Sequence, residues 1–153
     1  ERDIYTPGWK FNNWELKGVP LRVEIGPRDI DNDQVIIVRR DTGVKTTVPM
    51  NELNEWISNT LREQQVEALN KSKKYMSDHT HLVDSYSEFK QIMTSEKGFV
   101  RAFWCGNADC EAKIKAETKA TTRCLPLNAK EEEGSCVYCA KPANYRWHFA
   151  QAY

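Results

Sequence analysis

The chain has 153 residues, of which 40% are hydrophobic and 29% charged, and its formal net charge is zero. These proportions are typical of a soluble globular protein with one core or two small ones. No apolar run is long enough to span a bilayer and no signal-peptide pattern opens the chain, so we expect no membrane contact. Residues 1–50 carry eight Lys/Arg and eight Asp/Glu, so composition alone does not indicate RNA binding.

The first eighteen residues predict a short helix that follows a Pro7-Gly8 turn and ends at Gly18. The helix is rich in aromatic residues, and we expect Trp9, Phe11 and Trp14 to pack in a core. Glu15 is a stronger functional candidate because it lies just before the turn into the first strand. The chain begins with Glu rather than Met, which we interpret as the start of a piece of a longer protein.

Two short runs rich in β-branched residues, 19–25 and 35–38, predict a hairpin-like pair of strands around the turn-rich segment 26–33. The first run alternates, which predicts an apolar face toward the core and a polar face with Arg22 and Glu24. Solvation of a sheet face is the simplest interpretation of the charges on that face and around the loop, which are Arg22, Glu24, Arg28, Asp29, Arg39 and Arg40.

Residues 45–48 predict a third strand, and Asn51 is expected to cap a long helix that reaches about residue 75. The pattern breaks over 77–84, which predicts a boundary between domains at 1–80 and 81–153. His79 and His81 alternate there, and we do not expect them to bind metal. Ser85 opens a capping box that predicts a short helix through Met93.

Four of the five cysteines have the spacing of a metal site. A strand predicted over 99–104 is followed by the ligand candidates in a C-x4-C…C-x2-C pattern, namely Cys105, Cys110, Cys136 and Cys139. Four thiolates satisfy a tetrahedral Zn²⁺ and leave no open position, so the pattern predicts a structural zinc rather than a catalytic one. Free thiols of this kind predict a reducing, cytoplasmic setting.

Other interpretations of the cysteines remain open. Cys136 and Cys139 could form a redox dithiol, although the βαβ context of thioredoxin-like sites is missing. The cysteine pairs could also stand without metal or be oxidised. Cys124 lies on a predicted strand, and we expect it to be a buried small apolar residue.

The sequence resembles one family in both halves. The first half is similar to the anticodon-binding domain of prolyl-tRNA synthetases of the archaeal and eukaryote-like form, through residues 7–11, 14–20, 22–24 and 26–29. The second half resembles the C-terminal zinc-binding domain of the same enzymes, through residues 103–106, 109–111, 117–124 and 136–139. The fold implied is α/β: a partial class IIa anticodon-binding domain with a mixed sheet flanked by helices, then a small α+β zinc-binding domain.

The resemblance also implies site residues. The two guanines shared by proline anticodons would be read by Glu15, Arg22, Arg28, Asp29 and Lys45. Arg28 stands where other members carry Lys, which keeps a donor but changes its geometry. The four clustered cysteines would bind a structural zinc, and the carboxylate of Tyr153 would face the active-site region of a catalytic domain.

The implied activity is that of a class II ligase that charges tRNA(Pro) with proline. ATP and Mg²⁺ would bind only in an upstream catalytic domain, and we expect this chain to be inactive alone because it carries no phosphate-binding motif. The full protein would be a cytoplasmic homodimer. An alternative is a zinc-stabilised protein-interaction module without RNA specificity, and a thiol-active protein is a third.

Overall fold

The computed structural model describes residues 4–152, which form two compact units divided after Lys71, inside the longest helix. No helix within that range is both long and apolar enough to cross a membrane. The domain limits 1–80 and 81–153 remain a prediction. The first unit contains α1 (Pro7–Leu16), β1 (Leu21–Glu24), α2 (Pro27–Asp31), β2 (Gln34–Arg39), β3 (Lys45–Pro49), a 3₁₀ turn (Met50–Glu52) and the first part of α3 (Leu53–Asp78).

The sheet of the first unit has the order β1-β2-β3, with antiparallel pairing throughout. The predicted hairpin-like pair is therefore confirmed, with Arg22 opposite Val38 and Glu24 opposite Ile36. One face of the sheet packs against the start of α3, around a core of buried residues: Val35, Ile37 and Val48, with Leu21, Met50, Leu53, Trp56 and Ile57 against them.

The segment between β1 and β2, predicted to be a turn, contains a short helix. Residues 27–31 form α2, which has proline at its first position, where the missing N–H costs no hydrogen bond. The Asp29 carboxylate accepts a hydrogen bond from the N–H of Gly26 at 2.8 Å and closes the start of this helix. The connection between the strands therefore contains a short helix that is closed at its start by a hydrogen bond.

The prediction that the aromatic residues of α1 form a core is wrong for its tryptophans. Trp9 is 44% exposed and Trp14 46%, and α1 has no fully buried residue. Phe11 is half-buried. Part of the apolar face expected for β1 is also exposed, since β1 is an edge strand among the described residues, and Val23 and Ile25 remain accessible.

The long helix is confirmed, but Asn51 does not cap it. Pro49 leads directly into the 3₁₀ turn Met50–Glu52, and α3 then runs from Leu53 to Asp78 without a side-chain cap at the turn. The tight turn arises because Met50 donates its N–H to the carbonyl of Asp33, which fixes the chain at the end of β3.

The second unit contains β4 (Thr80–Leu82), α4 (Tyr86–Thr94), β5 (Phe99–Phe103), α5 (Ala108–Thr118), β6 (Ala120–Cys124), β7 (Gly134–Ser135), β8 (Pro142–Ala143) and β9 (Arg146–Gln151). Its main sheet has the order β4-β5-β9-β6 and is mixed, since β4 and β5 are parallel and the other pairs antiparallel. A separate two-stranded ribbon joins β7 and β8. The predicted fold class, α/β with a small α+β second part, is confirmed.

The core of the second unit lies on one face of this sheet, under α4 and α5. Its largest fully buried side chains include Phe89, Ile114 and Phe149. Ser85 caps α4 as predicted, accepting a hydrogen bond from the N–H of Glu88 at 3.3 Å. The prediction for Cys124 is wrong: it ends β6 as expected but is exposed, because the pairing with β9 shifts after Thr122 and carries the thiol out of the core.

Candidate functional site

A chain of alternating charges crosses one face of the first unit and is centred on Arg22. The Nη1 of Arg22 in β1 contacts the carboxylate of Glu15 at the end of α1, and its Nε donates to Glu24 at 3.0 Å. The second oxygen of Glu24 lies 3.4 Å from the Nζ of Lys45 at the start of β3. Charged side chains from three elements are thus held in one network, which we call the Arg22 network (Glu15, Arg22, Glu24 and Lys45).

The cations of the network keep Glu24 ionised. Burial favours the neutral carboxyl, but hydrogen bonds from Arg22 and Lys45 outweigh it and lower the pKa of Glu24 below its usual 4.5. The guanidinium carbon of Arg22 lies 4.0 Å from the ring centre of Phe11, within the range of a cation–π contact. Arg22 is therefore positioned from three directions.

A cavity of about 230 Å³ adjoins the Arg22 network. Its walls are mainly apolar, and the charged side chains that line it include both members of the Glu15–Arg22 pair. The lining residues are Lys10, Phe11, Trp14, Glu15, Val19, Leu21, Arg22, Val38 and Arg40. Apolar walls with a few oriented polar groups are the usual form of a small-ligand or nucleobase pocket.

Arg28 and Asp29 lie on α2, and no described contact joins their side chains to the Arg22 network. Both oxygens of Asp29 already accept hydrogen bonds, from Gly26 and, at 3.4 Å, from the side-chain amide of Gln34. Arg28 is exposed, and within residues 4–152 its guanidinium has no ion pair or hydrogen bond. Arg28 is thus free to bind a ligand, whereas Asp29 also stabilises α2.

The structure adds two residues to the candidate site and pairs another with carboxylates outside it. Sequence reasoning left Glu24 and Phe11 outside the site, yet Glu24 links Arg22 to Lys45 and Phe11 supports the Arg22 guanidinium. The spacing of Phe11 and Glu15, four residues apart on one helix face, was the available signal. Arg39, one of the charges for which solvation is the simplest interpretation of the sequence, is bound to Asp41 and Glu67.

The four predicted metal ligands come together in the second unit. The sulfurs of Cys105, Cys110, Cys136 and Cys139 all lie within 4.8 Å of one another, and Cys105 is 3.7 Å from both Cys110 and Cys139. A tetrahedral zinc with Zn–S bonds of about 2.3 Å separates its sulfurs by about 3.8 Å. The donor set and its spacing therefore fit a structural Zn²⁺.

Turns and backbone hydrogen bonds bring the four cysteines together. Gly106 has a positive φ of 74° and turns the chain after Cys105, and Asn107 then caps α5, in whose first turn Cys110 lies. On the other side, Cys136 donates its N–H to the carbonyl of Lys141 at 2.8 Å, which closes the loop around Cys139. The two halves are tied together because the N–H of Val137 donates to the carbonyl of Phe103.

Without a metal, the thiols differ in acidity. Burial raises the pKa of Cys110 to about 12, whereas a hydrogen bond from the backbone of Lys141 lowers the pKa of Cys139 to about 7. Cys136 and Cys139 do not form an isolated pair, because two more sulfurs complete the cluster. This arrangement favours metal binding over a redox dithiol. In the part of the chain that the structure describes, these cysteines form the one cluster of metal-binding side chains.

Comparison with known proteins finds two matching families. Residues 2–60 match the family described as anticodon binding domain, and residues 86–153 match the family described as prolyl-tRNA synthetase, C-terminal. Residues 86–153 belong to the prolyl-tRNA synthetase C-terminal family. All five predicted anticodon-contacting residues fall within the first match, and the four clustered cysteines fall within the second.

Individual members of the prolyl-tRNA synthetase family align over nearly the whole chain. Proline--tRNA ligase 2 of Clostridioides difficile is 45% identical and the proline--tRNA ligase of Alkaliphilus oremlandii 42% identical, each over 100% of this chain. The proline--tRNA ligase of Symbiobacterium thermophilum is 47% identical over 97% of it. The chain spans only 32% of the length of each of these relatives.

The terminal Tyr153, predicted to face an active site, lies outside the described residues. The strand that precedes it is firmly held. β9 lies between β5 and β6 in the sheet, and the side-chain amide of Gln151 donates to the carbonyls of Met93 at 2.9 Å and Thr118 at 2.7 Å.

Proposed function

We propose that this chain is the anticodon-recognition and zinc-stabilised region of a proline--tRNA ligase, which charges tRNA(Pro) with proline using ATP. One observation carries the proposal: the Arg22 network borders an aromatic-walled cavity in a domain that matches the anticodon-binding family. Bases of an anticodon loop are unstacked and accessible, and proteins read such bases by stacking and by hydrogen bonds to their edges.

Guanine offers donors and acceptors that suit the Arg22 network. A carboxylate such as Glu15 accepts from the N1–H and N2 amino group of guanine, and Arg22 or Lys45 donates to O6 and N7. In the free protein Arg22 holds the Glu15 carboxylate, so the acceptor is oriented before RNA arrives. Phe11 and Trp14 supply the apolar walls against which a base can pack.

Arg28 provides a second contact on α2. Its guanidinium is exposed and has no partner among residues 4–152, so an RNA group does not have to displace an existing ion pair. Asp29 supports this position, since its carboxylate holds the start of α2. In this scheme the Arg22 network and α2 approach different parts of the anticodon.

The second unit contributes stability rather than chemistry. A Zn²⁺ held by the four thiolates would link the segment after β5 to the β7–β8 ribbon and add folding free energy to a small module. ATP and Mg²⁺ would bind in a catalytic domain upstream of this chain, and the full-length protein would be a cytoplasmic homodimer. Tyr153 would direct its carboxylate toward that domain.

The test compares two RNAs, a proline anticodon stem-loop and a copy in which both anticodon guanines are replaced by adenine. Dissociation constants are measured at one stated salt concentration for wild type, Arg28→Ala and the control Arg62→Ala, which removes an exposed arginine of α3. We expect wild type and Arg62→Ala to prefer the guanine RNA, and Arg28→Ala to lose about 1–3 kcal/mol of that preference.

Equal binding of both RNAs by wild type would refute anticodon recognition. It would favour a zinc-stabilised protein-interaction module, for which the exposed Trp9 and Trp14 of α1 would be the contact residues. A thiol-active protein is the third alternative. It requires disulfide exchange by Cys136 and Cys139 that persists when zinc is bound.

A further inference from the structure

A second cleft lies on the face of the second-unit sheet that is opposite its core. It has a volume of about 730 Å³ and lies where the end of α3, strands β4, β5 and β9, and the loop after β6 meet. Arg101 lines this cleft. Its neighbours along β5, Val100 and Ala102, are fully buried in the core, so alternation directs Arg101 to the opposite face.

Arg101 lacks a counter-ion within residues 4–152. Its neighbours across the sheet are Leu82 on β4 and His148 on β9, neither of which carries a negative charge. Its Nε is enclosed and has no hydrogen-bond partner among the described residues. No carboxylate therefore balances the charge of Arg101 within the described residues, and an anion bound in the cleft would supply the missing counter-ion.

Two lysines add to the positive character of the cleft. Lys73 and Lys130 line it, and its one lining carboxylate, Glu132, is 3.5 Å from the Nε of Arg146. Asp84 is also bound to Arg146, at 2.6 Å. Burial, and next the charge of Arg101, lower the pKa of His148, which favours a neutral imidazole beside the guanidinium.

We propose that this cleft, which is lined by Arg101, Lys73 and Lys130, binds a phosphate group. The planar guanidinium fork matches phosphate oxygens, and three cations suit a group with more than one negative charge better than a single carboxylate. The phosphate is supplied either by an RNA backbone or by a free phosphate-bearing molecule. The site is independent of the anticodon residues, which lie in the first unit.

The experiment uses the zinc-loaded 153-residue protein and two probes. Inorganic phosphate and a short oligouridylate, which contains no guanine for the anticodon residues to read, are titrated separately at low salt. Binding is followed by calorimetry and by the NMR signal of the Arg101 Nε–H. The variants are Arg101→Gln and Lys130→Gln, with Arg123→Gln as the matched control, since Arg123 lies in the same sheet and donates to the carbonyl of Ala150.

We expect saturable phosphate binding that shifts the Arg101 signal. Arg101→Gln should weaken it about tenfold or more, because a charge-assisted hydrogen bond is lost. Lys130→Gln, in an exposed loop, should weaken it less, and Arg123→Gln should bind like wild type. If oligouridylate competes with phosphate and its salt slope falls by about 0.7 in Arg101→Gln, the RNA backbone is the source. If phosphate alone binds, the source is a free phosphate-bearing molecule.

Two results would overturn anion binding by the cleft, and a third would overturn its assignment to phosphate. One is the absence of saturable phosphate binding to wild type, and the other is equal affinity in wild type, Arg101→Gln and Lys130→Gln. Displacement of phosphate by an equal concentration of a glutamate peptide would reject the phosphate class in favour of carboxylates. None of these outcomes bears on anticodon discrimination, which Arg28 tests separately.

Discussion

At the scale of single residues, the Arg22 network joins charged side chains of α1, β1 and β3. Arg22 is fixed by Glu15, Glu24 and the ring of Phe11, and this arrangement limits its side-chain freedom before any ligand binds. Exposed ion pairs contribute little to stability, typically below about 1 kcal/mol. The Arg22–Glu24 pair is largely buried, so it can contribute more than an exposed pair, and under the proposed function the network also orients recognition groups.

Glu24 gives the network a pH dependence. Because the pKa of Glu24 is lowered in the folded protein, its ionised carboxylate stabilises the fold above pH 4.5, and this contribution is lost as the pH falls through the folded pKa. We expect Glu24→Gln to melt at a lower temperature than wild type at neutral pH. The difference between the two melting temperatures should become smaller under acid conditions. Thermal unfolding followed by circular dichroism over the acid range measures this.

The control for this prediction is Glu63→Gln, which neutralises an exposed carboxylate of α3 that has no ion pair among the described residues. Its pH profile should follow wild type. A Glu24→Gln profile parallel to wild type at every pH would show that the carboxylate of Glu24 is not specifically stabilised by its cations.

At the scale of elements, most helices and strands could be predicted from hydrophobic period and capping residues. The strands with β-branched runs, β2 and β3, and the helix opened by Ser85 were placed correctly because their signals are local. The five-residue α2 and the 3₁₀ turn before α3 escaped prediction, since contacts with β2 and β3 decide such short pieces. The bulge that exposes Cys124 depends on pairing with the distant β9.

The cysteine cluster was predictable for a different reason. The spacing of the four cysteines can be read directly from the sequence, and four thiolates match the tetrahedral coordination that zinc prefers. The role of Glu24 was not predictable in this way, because it depends on β1 and β3 lying on either side of β2, which brings Lys45 near the strand that carries Arg22.

The β7–β8 ribbon packs closely against Phe103 of β5, and this close approach is possible because Gly134 has no side chain. A Cβ at this position would lie 2.4 Å from ring atoms of Phe103, whose ring is contacted by Arg146 at 4.0 Å. We expect Gly134→Ala to destabilise the second unit by about 1–3 kcal/mol through overpacking. Denaturant unfolding of the zinc-loaded protein provides the measurement.

Gly8→Ala is the matched control, because a Cβ on Gly8 meets no atom within 4 Å and the residue is helical. It should leave stability unchanged or increase it slightly. If Gly134→Ala unfolds at the same denaturant concentration as wild type, the close packing of Gly134 on Phe103 does not contribute to the stability of the second unit.

At the scale of the whole molecule, the two units should respond differently to loss of metal. The thiolate cluster lies entirely in the second unit, and structural zinc in small modules contributes a binding free energy on the order of 10 kcal/mol. A strong chelator should therefore abolish hydrogen-exchange protection in β5 and β9 and leave β2 protected. Hydrogen exchange resolved by mass spectrometry tests this.

Two cysteine variants make the zinc prediction specific. Cys110→Ser should lower the zinc content of the purified protein, whereas Cys124→Ser should leave it at one ion per chain, because Cys124 is exposed and outside the cluster. Equal zinc loss in both variants, or unchanged protection of β5 after chelation, would argue against a structural metal.

The most direct test of the account asks whether Glu15 reads the edge of guanine. A proline anticodon stem-loop is compared with a copy in which inosine, which lacks the N2 amino group, replaces both anticodon guanines. Dissociation constants are measured for wild type, Glu15→Gln and the control Glu63→Gln as a double-mutant cycle. We predict an inosine penalty of about 1–3 kcal/mol in wild type and the control, and a clearly smaller one in Glu15→Gln. The same penalty in all three proteins would contradict guanine recognition by the Arg22 network.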